Sequence, residues 1–187
     1  MCSNLESSYK NNLNYEQVFQ AIVFTMNPSQ IVELGILEGF SLLAMTKVAD
    51  KSCKIYAYDI FDDFNGNHAK ENNLKELFKN YDNVYIEYGN FYEVYKTLNF
   101  NVDIIHIDIA NNGDVYKFAI DYYMPLLRKG GLLLLEGGSM IRDKVFWMFK
   151  YNKTKIVPVI NELKIRKDIK IHVIEQFPSL TLIYKLY

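Results

Sequence analysis

Cysteine and proline are scarce in this chain: Cys2 and Cys53 are the only thiols among 187 residues, and there are four prolines. One thiol at the start and one between elements argue against a disulfide framework or a thiolate metal site, and suit a reducing compartment. With nine glycines and 50% hydrophobic residues, the composition is the opposite of a disordered chain's. Long apolar runs are also missing, the longest being short stretches such as Gly131 to Leu135, well below the ~18 residues that span a bilayer. The opening Met1 to Asn14 is polar and lacks an apolar h-region; the chain therefore reads as soluble and cytoplasmic, with no membrane partner. Nor is one charge in excess. Lys plus Arg number 21 against 22 Asp plus Glu, a net −1, so no overall field draws the chain to nucleic acid or an anionic bilayer.

What is abundant is aromatic: 15 Tyr and 12 Phe, with one Trp and only three arginines. Rings at Tyr56, Tyr58, Tyr85, Tyr88, Phe91 and Tyr95 are expected between the layers of the fold. An exposed ring of Tyr and Phe would overturn that placement.

The length suits one domain of residues 1–187, with residues 1–13 expected to be flexible. Asn14 with Gln17 three residues later forms a candidate capping box for a helix that stops at Asn27-Pro28. Apolar strands are expected at Ile31 to Leu34, Ile55 to Asp59, Val84 to Tyr88, Val102 to Asp108 and Leu132 to Glu136. Helices are expected around Phe40 to Ala49, Ala69 to Lys79, Phe91 to Leu98 and Val115 to Leu127. The last has Asp114 as N-cap, Arg128 and Lys129 in its final turn and Gly130 beyond it. Continuous apolar strands alternating with helices imply an α/β, doubly wound, Rossmann-like, mostly parallel sheet. Past Glu136 come a helix-like stretch from Ile141 to Lys150, an undecided segment to Lys167, and a hairpin of Ile169 to Glu175 and Leu180 to Tyr187. The seven-stranded sheet thus ends in an antiparallel pair.

In such a sheet a ligand sits beyond the carboxyl ends of the strands, where strand order reverses. The first strand enters a glycine turn with Glu33, Gly35, Glu38, Gly39 and Ser41, and the second ends in Asp59, where a carboxylate can accept from a ribose diol. The third ends in Gly89-Asn90-Phe91, an amide and a ring for a flat base; the fourth ends in Asp108 and the fifth in Glu136. The turn lacks Gly-x-Gly-x-x-Gly, and its acidic residues would repel a pyrophosphate while favouring a ligand with a cationic end.

Glu33-x-Gly35-x-x-x-Gly39-x-Ser41, Asp59, Ile105-His106-Ile107-Asp108 and Pro125-Leu126-Leu127-Arg128-Lys129-Gly130-Gly131 together resemble the class I S-adenosylmethionine-dependent methyltransferases, and within them the small O-methyltransferase-like enzymes. The resemblance covers residues 14 to 187. It implies S-adenosylmethionine as cofactor, with Gly35, Gly39 and Ser41 along its methionine end and Glu33 beside the amino acid or its waters. Asp59 would hold the ribose, Asn90 and Phe91 would frame the adenine, and Asp108 would stand where methyl and acceptor meet. Methyl transfer to a hydroxyl of a small molecule is the implied activity.

His106 and Asp108 are two apart on a strand and share a face, which makes both candidate catalytic groups, although His106 lies deeper and suits a hydrogen-bonded core position. Some relatives bind a divalent ion through an Asp after the fourth strand and Asp-Asn after the fifth. Asp108 matches the first, but Glu136-Gly137 stands at the second, so no metal is expected; Mg²⁺ on Asp108 and Glu136 is the variant to test. Similar enzymes also carry a His in the loop that here reads Ile109 to Gly113, and it is missing. Candidate acceptor contacts are His68, Asn111, Asn112, Glu136 and Arg142, the last as a clamp for an anion or as a surface partner of Asp143. His172, Trp147 and Met148 read as structural, and the basic run Lys150 to Lys155 as solvated surface. A nicotinamide-dependent oxidoreductase and a non-catalytic binding module on the same fold are the alternatives. A homodimer could complete a pocket that has no lid of its own.

Overall fold

The computed structural model describes residues 14–187 apart from Asn65; Cys2 and the polar lead 1–13 lie outside the described residues. Asn14 caps α1 (Tyr15–Met26) by accepting from the Glu16 amide at 2.9 Å, and Asn27 ends it in the left-handed conformation (φ 43°) just before Pro28. The chain then alternates: β1 (Gln30–Leu34), α2 (Phe40–Thr46), β2 (Lys54–Asp59), α3 (Glu71–Leu77), β3 (Val84–Tyr88), α4 (Phe91–Val94), β4 (Val102–Ile107), α5 (Gly113–Phe118) and β5 (Leu127–Glu136). Short helices α6 (Phe146–Lys150) and α7 (Ile156–Leu163) precede the terminal hairpin of β6 (Ile169–Ile174) and β7 (Leu180–Lys185).

The seven strands lie in the order β3-β2-β1-β4-β5-β7-β6, with the first five parallel and β7 antiparallel to both neighbours. Every residue of β4 is buried, as a central strand covered on both faces requires. Alternate side chains feed two cores: Val32 and Ile105 enter one, beneath α5 and α7, while Ile31 and Ile104 enter the other, beneath α1 and α2. Strand order reverses between β1 and β4, so the ligand crevice of such a sheet is expected beyond Leu34 and Ile107. At the opposite end Asp103 fixes the same two strands, accepting from the Ser29 and Gln30 amides at 2.8 Å each and pairing with Arg128.

Three expectations are corrected. The helix after β4 is capped by Asn112, whose side chain accepts from Asp114 and Val115 amides, and not by Asp114. It widens into a π turn over Ala119–Tyr123 and a 3₁₀ turn over Met124–Leu126, because Pro125 offers no amide to continue the ladder. Arg128, Lys129 and Gly130 (φ 77°) therefore belong to an irregular start of β5, where Arg128 is drawn onto Asp103, and not to a helix end. The rings are also divided: Tyr58 and Phe91 are buried and Tyr56 and Tyr95 half-buried, but Tyr85 and Tyr88 are exposed. The undecided segment becomes α7, whose first amides, Ile156 and Val157, donate to the buried Asp143 carboxylate at 2.7 and 2.9 Å. Asp143→Ala should cost about 1–2 kcal/mol, the usual worth of a cap, read from urea unfolding.

Candidate active site

The turn after β1 is held from three sides. The Gly35 amide donates to Tyr58 O at 2.9 Å, the Asp108 amide donates to Leu34 O at 2.9 Å, and Gly35 adopts φ 88°. A β-carbon on Gly35 would lie 2.0 Å from the Asp108 carbonyl oxygen, so the glycine lets two strand ends approach each other. Gly39 opens α2, but a β-carbon there would meet Leu74 and Phe78 side chains at 3.1 Å. Its smallness serves the contact with Leu74 of α3 and with Phe78 just after it.

Asp59 lies at the end of β2, buried, and already fully used. Its Oδ2 accepts from the Ile36 and Leu37 amides at 2.7 and 3.3 Å, and its Oδ1 from the Phe61 amide at 2.9 Å and Asn67 Nδ2 at 2.5 Å. A carboxylate has about four acceptor sites, so in this state Asp59 shapes the glycine turn and has none spare for a ribose diol.

Beneath the turn, Glu33 Oε1 accepts from Ser41 Oγ at 2.5 Å and bonds His106 Nδ1 at 2.8 Å, all three buried. Register explains the meeting: Glu33 lies opposite His106 across β1 and β4. Phe19 of α1 closes the imidazole with an edge contact, ring centroids 4.9 Å apart. Burial alone would lower the imidazole pKa, but the Glu33 hydrogen bond and charge, with smaller help from Asp108 and Glu136, leave it above its ordinary 6.5. His106, expected as a possible catalytic group, is thus a partner of Glu33 inside the core. Glu33 Oε2 is buried without a partner among the described residues.

Asp108, just past β4, remains exposed at the mouth of the crevice. The atoms crowded around its carboxyl raise its pKa above the usual aspartate range, and the Glu33 charge adds to this while His106 and Arg142 oppose it.

The acceptor side departs further from expectation. Glu136 and Arg142 form a two-pronged pair, Nε to Oε1 at 2.6 Å and Nη2 to Oε2 at 2.9 Å, while Nη2 also donates to Asn111 O at 3.2 Å. Trp147 covers the guanidinium with its ring centroid 4.9 Å away. Arg142 is therefore buried and paired with Glu136, its Nη1 is buried without a partner among the described residues, and its sequence neighbour Asp143 caps α7 instead of pairing with it. Burial raises the Glu136 pKa against the lowering by Arg142. Arg142 occupies one acceptor site on each Glu136 oxygen, and among the described residues no cluster of three His, Cys, Asp or Glu is placed to hold a metal. Asn111 staples the ends of β4 and β5, its Nδ2 donating to Ile107 O and Glu136 O at 2.9 Å each, and Asn112 is spent on its cap. Neither is free to orient an acceptor. Phe91, expected at the adenine, is buried and stacked on Tyr123 at 5.1 Å between centroids, whereas Asn90 is exposed with its Oδ1 accepting from the Tyr92 amide. His68 is exposed on the loop between β2 and α3. Phe19, Asn67 and Trp147 are the partners that sequence spacing left unmarked. Nothing local in the sequence signals them, since each meets its partner through the fold.

A parallel sheet reversing at β1/β4, continued by an antiparallel β7 beside β5, with the glycine turn after β1 clamped by an acidic residue from β2, defines the Rossmann-like methyltransferase fold. The chain matches the family described as a methyltransferase domain over residues 32–136, more than half its length, and belongs to that family. Among solved structures it is similar to the O-methyltransferase TomG from Streptomyces achromogenes in complex with SAM, at 13% identity and TM-score 0.71, covering 94% of this chain and 82% of that one. An O-methyltransferase from Bacillus cereus in complex with SAH has 11% identity and TM-score 0.72, with 96% and 84% covered. The SAH-bound methyltransferase PaMTH1 of Podospora anserina has 19% identity and TM-score 0.70, with 92% and 78% covered. A comparison with curated protein sequences finds no match.

Proposed function

We propose that the chain is an S-adenosylmethionine-dependent methyltransferase of the cytoplasm that methylates a hydroxyl oxygen of a small molecule. The observation that carries this reading is the acidic crevice at the β1/β4 switch. Exposed Asp108, exposed Glu38 and buried Glu33 with its unpartnered Oε2 surround a turn that Asp59 clamps. Such a site suits a ligand with cationic groups, and family membership and the cofactor-bound neighbours support the choice.

Glu33, Gly35, Ser41 and Asn90 would border the cofactor, with Asp59 acting through the turn it holds. The bound cofactor supplies an electrophilic methyl on a good leaving group, so the protein's contribution is positioning and deprotonation of the acceptor. Asp108 is the group to do both. It is exposed at the switch point, and its raised pKa brings it closer to that of an efficient general base.

Calorimetry with S-adenosylhomocysteine tests the reading. The wild type should bind, and Asp59→Ala, which releases two amides of the glycine turn and two donors of the loop after β2, should bind about 10- to 100-fold more weakly. Asp108→Asn should keep affinity within about threefold yet lose about 10²-fold or more in methyl transfer. A wild type that is folded and takes up no S-adenosylhomocysteine would sink the proposal.

A further inference from the structure

Four residues past the end of β5 begins a stretch, residues 140–155, with an inner side that is locked and an outer side of unusual chemistry. Inside, Arg142 is held by Glu136, Asp143 caps α7, and Met148 is buried in the core. Outside, Met140, Ile141, Phe146, Phe149 and Tyr151 are 62%, 63%, 78%, 61% and 57% exposed. Lys144, Lys150, Lys153 and Lys155 are exposed around them, and among the described residues none has a carboxylate at salt-bridge distance. Asp143 is the one acidic residue in the stretch, and it is buried. A chain of net charge −1 therefore presents four lysines without an ion-pair partner among the described residues, interleaved with five large apolar side chains, with the exposed Asp114 carboxylate at one edge accepting from Thr154 at 3.0 Å.

We propose that this surface, residues 140–155, docks on an anionic lipid bilayer. Lysines reach the phosphates of such a surface while side chains like Phe146 and Ile141 enter the boundary between headgroups and acyl chains. The charge decides against a second copy of the chain, because a two-fold pairing would set one lysine cluster against its own image. Phe146, Phe149 and Tyr151 offer flat faces that a single-stranded nucleic acid would also use, but Met140 and Ile141 beside them do not and the patch carries no exposed arginine, which favours lipid and makes RNA the competing outcome of the test. The stretch also borders the crevice, Arg142 reaching the Asn111 carbonyl after β4. Docking would turn the mouth of the site toward lipid, so the acceptor would be a hydroxylated molecule dissolved in the membrane. That last step rests on the proposed methyltransferase reading; the docking does not.

The test is co-sedimentation of the full chain with vesicles of phosphatidylcholine alone, and of phosphatidylcholine and phosphatidylglycerol in equal parts. The wild type should pellet with the anionic vesicles and not with the neutral ones, and molar salt should weaken the binding. K144Q/K150Q/K153Q/K155Q should lower the partition coefficient at least about tenfold, given the worth of each lysine near such a surface. F146S/F149S should lower it about tenfold or more through lost apolar burial. Both variants should keep the wild-type melting temperature and affinity for S-adenosylhomocysteine, since they replace exposed side chains away from the crevice. The proposal is overturned if the wild type stays in the supernatant with anionic vesicles, or if both variants bind as it does. It also falls if the patch instead supports tighter binding of single-stranded RNA, or a dimer that F146S/F149S abolishes. Vesicle binding in a protein that takes up no S-adenosylhomocysteine would uphold the docking and remove only the methyltransferase reading.

Discussion

Gly35→Ala should destabilise the protein by about 3 kcal/mol or more and weaken S-adenosylhomocysteine binding at least about 100-fold. Two costs add. Alanine at φ 88° is strained by about 1 kcal/mol or more, and its β-carbon would sit 2.0 Å from the Asp108 carbonyl oxygen. That oxygen belongs to backbone, so relief requires β1 and β4 to part by more than an ångström at their carboxyl ends. Both strands are hydrogen-bonded on both sides, β1 to β2 and β4 and β4 to β1 and β5, which leaves no free edge to yield. The movement would also pull Ile36 and Leu37 off Asp59, undoing the turn on which the proposed cofactor site depends. Urea unfolding reads the first effect and calorimetry the second. An alanine variant within about 0.5 kcal/mol of wild type, with unchanged affinity, would show that the strand ends are not in the close contact described.

The sheet was legible because its strands are short apolar runs bounded by turn residues, and all seven fall close to where the pattern puts them. Errors arise where a tertiary partner outbids local preference. Arg128 and Lys129 look like the end of a helix, but Asp103 across the sheet claims Arg128, and Pro125 prevents the α-helix from continuing. Asp114 and Asn112 are both good caps, and only the closed loop selects the amide. At the candidate site, the rule that ligands meet strand ends picks Glu33, Gly35, Asp59, Asp108 and Glu136, and all five lie around the carboxyl end of the sheet. What spacing does not carry is which partner each group has. A carboxylate at a strand end reads the same whether it faces a ribose or, as with Asp59, four donors of its own chain. Arg142 is only six residues from Glu136, yet nothing at that spacing distinguishes a buried ion pair from an open clamp until β5 and the 3₁₀ turn after it are in place. The aromatic excess divides for the same reason. Phe91, Phe118 and Tyr123 fill a core, while Tyr85 and Tyr88, expected between the layers, face outward, as do Phe146, Phe149 and Tyr151.

His106→Ala should cost about 3–5 kcal/mol, because it strands Glu33 in a dry interior with Ser41 as its remaining partner. Glu33→Ala should cost less, since an imidazole left alone can shed its proton and a carboxylate can become neutral only by taking one up. The double variant should fall short of the sum by about 1–3 kcal/mol, as expected of two groups in direct contact. The pH dependence has a definite sign. The folded-state pKa of His106 lies above 6.5, so the stability that protonation lends is fully present below about pH 6.5 and is lost as pH rises through the higher folded value. The difference between wild type and His106→Ala should therefore narrow on the alkaline side. The comparison is read on the alkaline side, because Asp108 and Glu136, whose carboxyls burial raises, are coupled to the His106 charge and do not cancel in the acid range. A gap that widens with pH would mean that the imidazole is neutral in the fold. Activity gives a readout that lost stability does not move. Because the His106 charge holds the Asp108 pKa down, its removal should shift the acid limb of the methyl-transfer profile to higher pH, and Phe19, which only closes the imidazole, should produce no such shift when replaced by Leu.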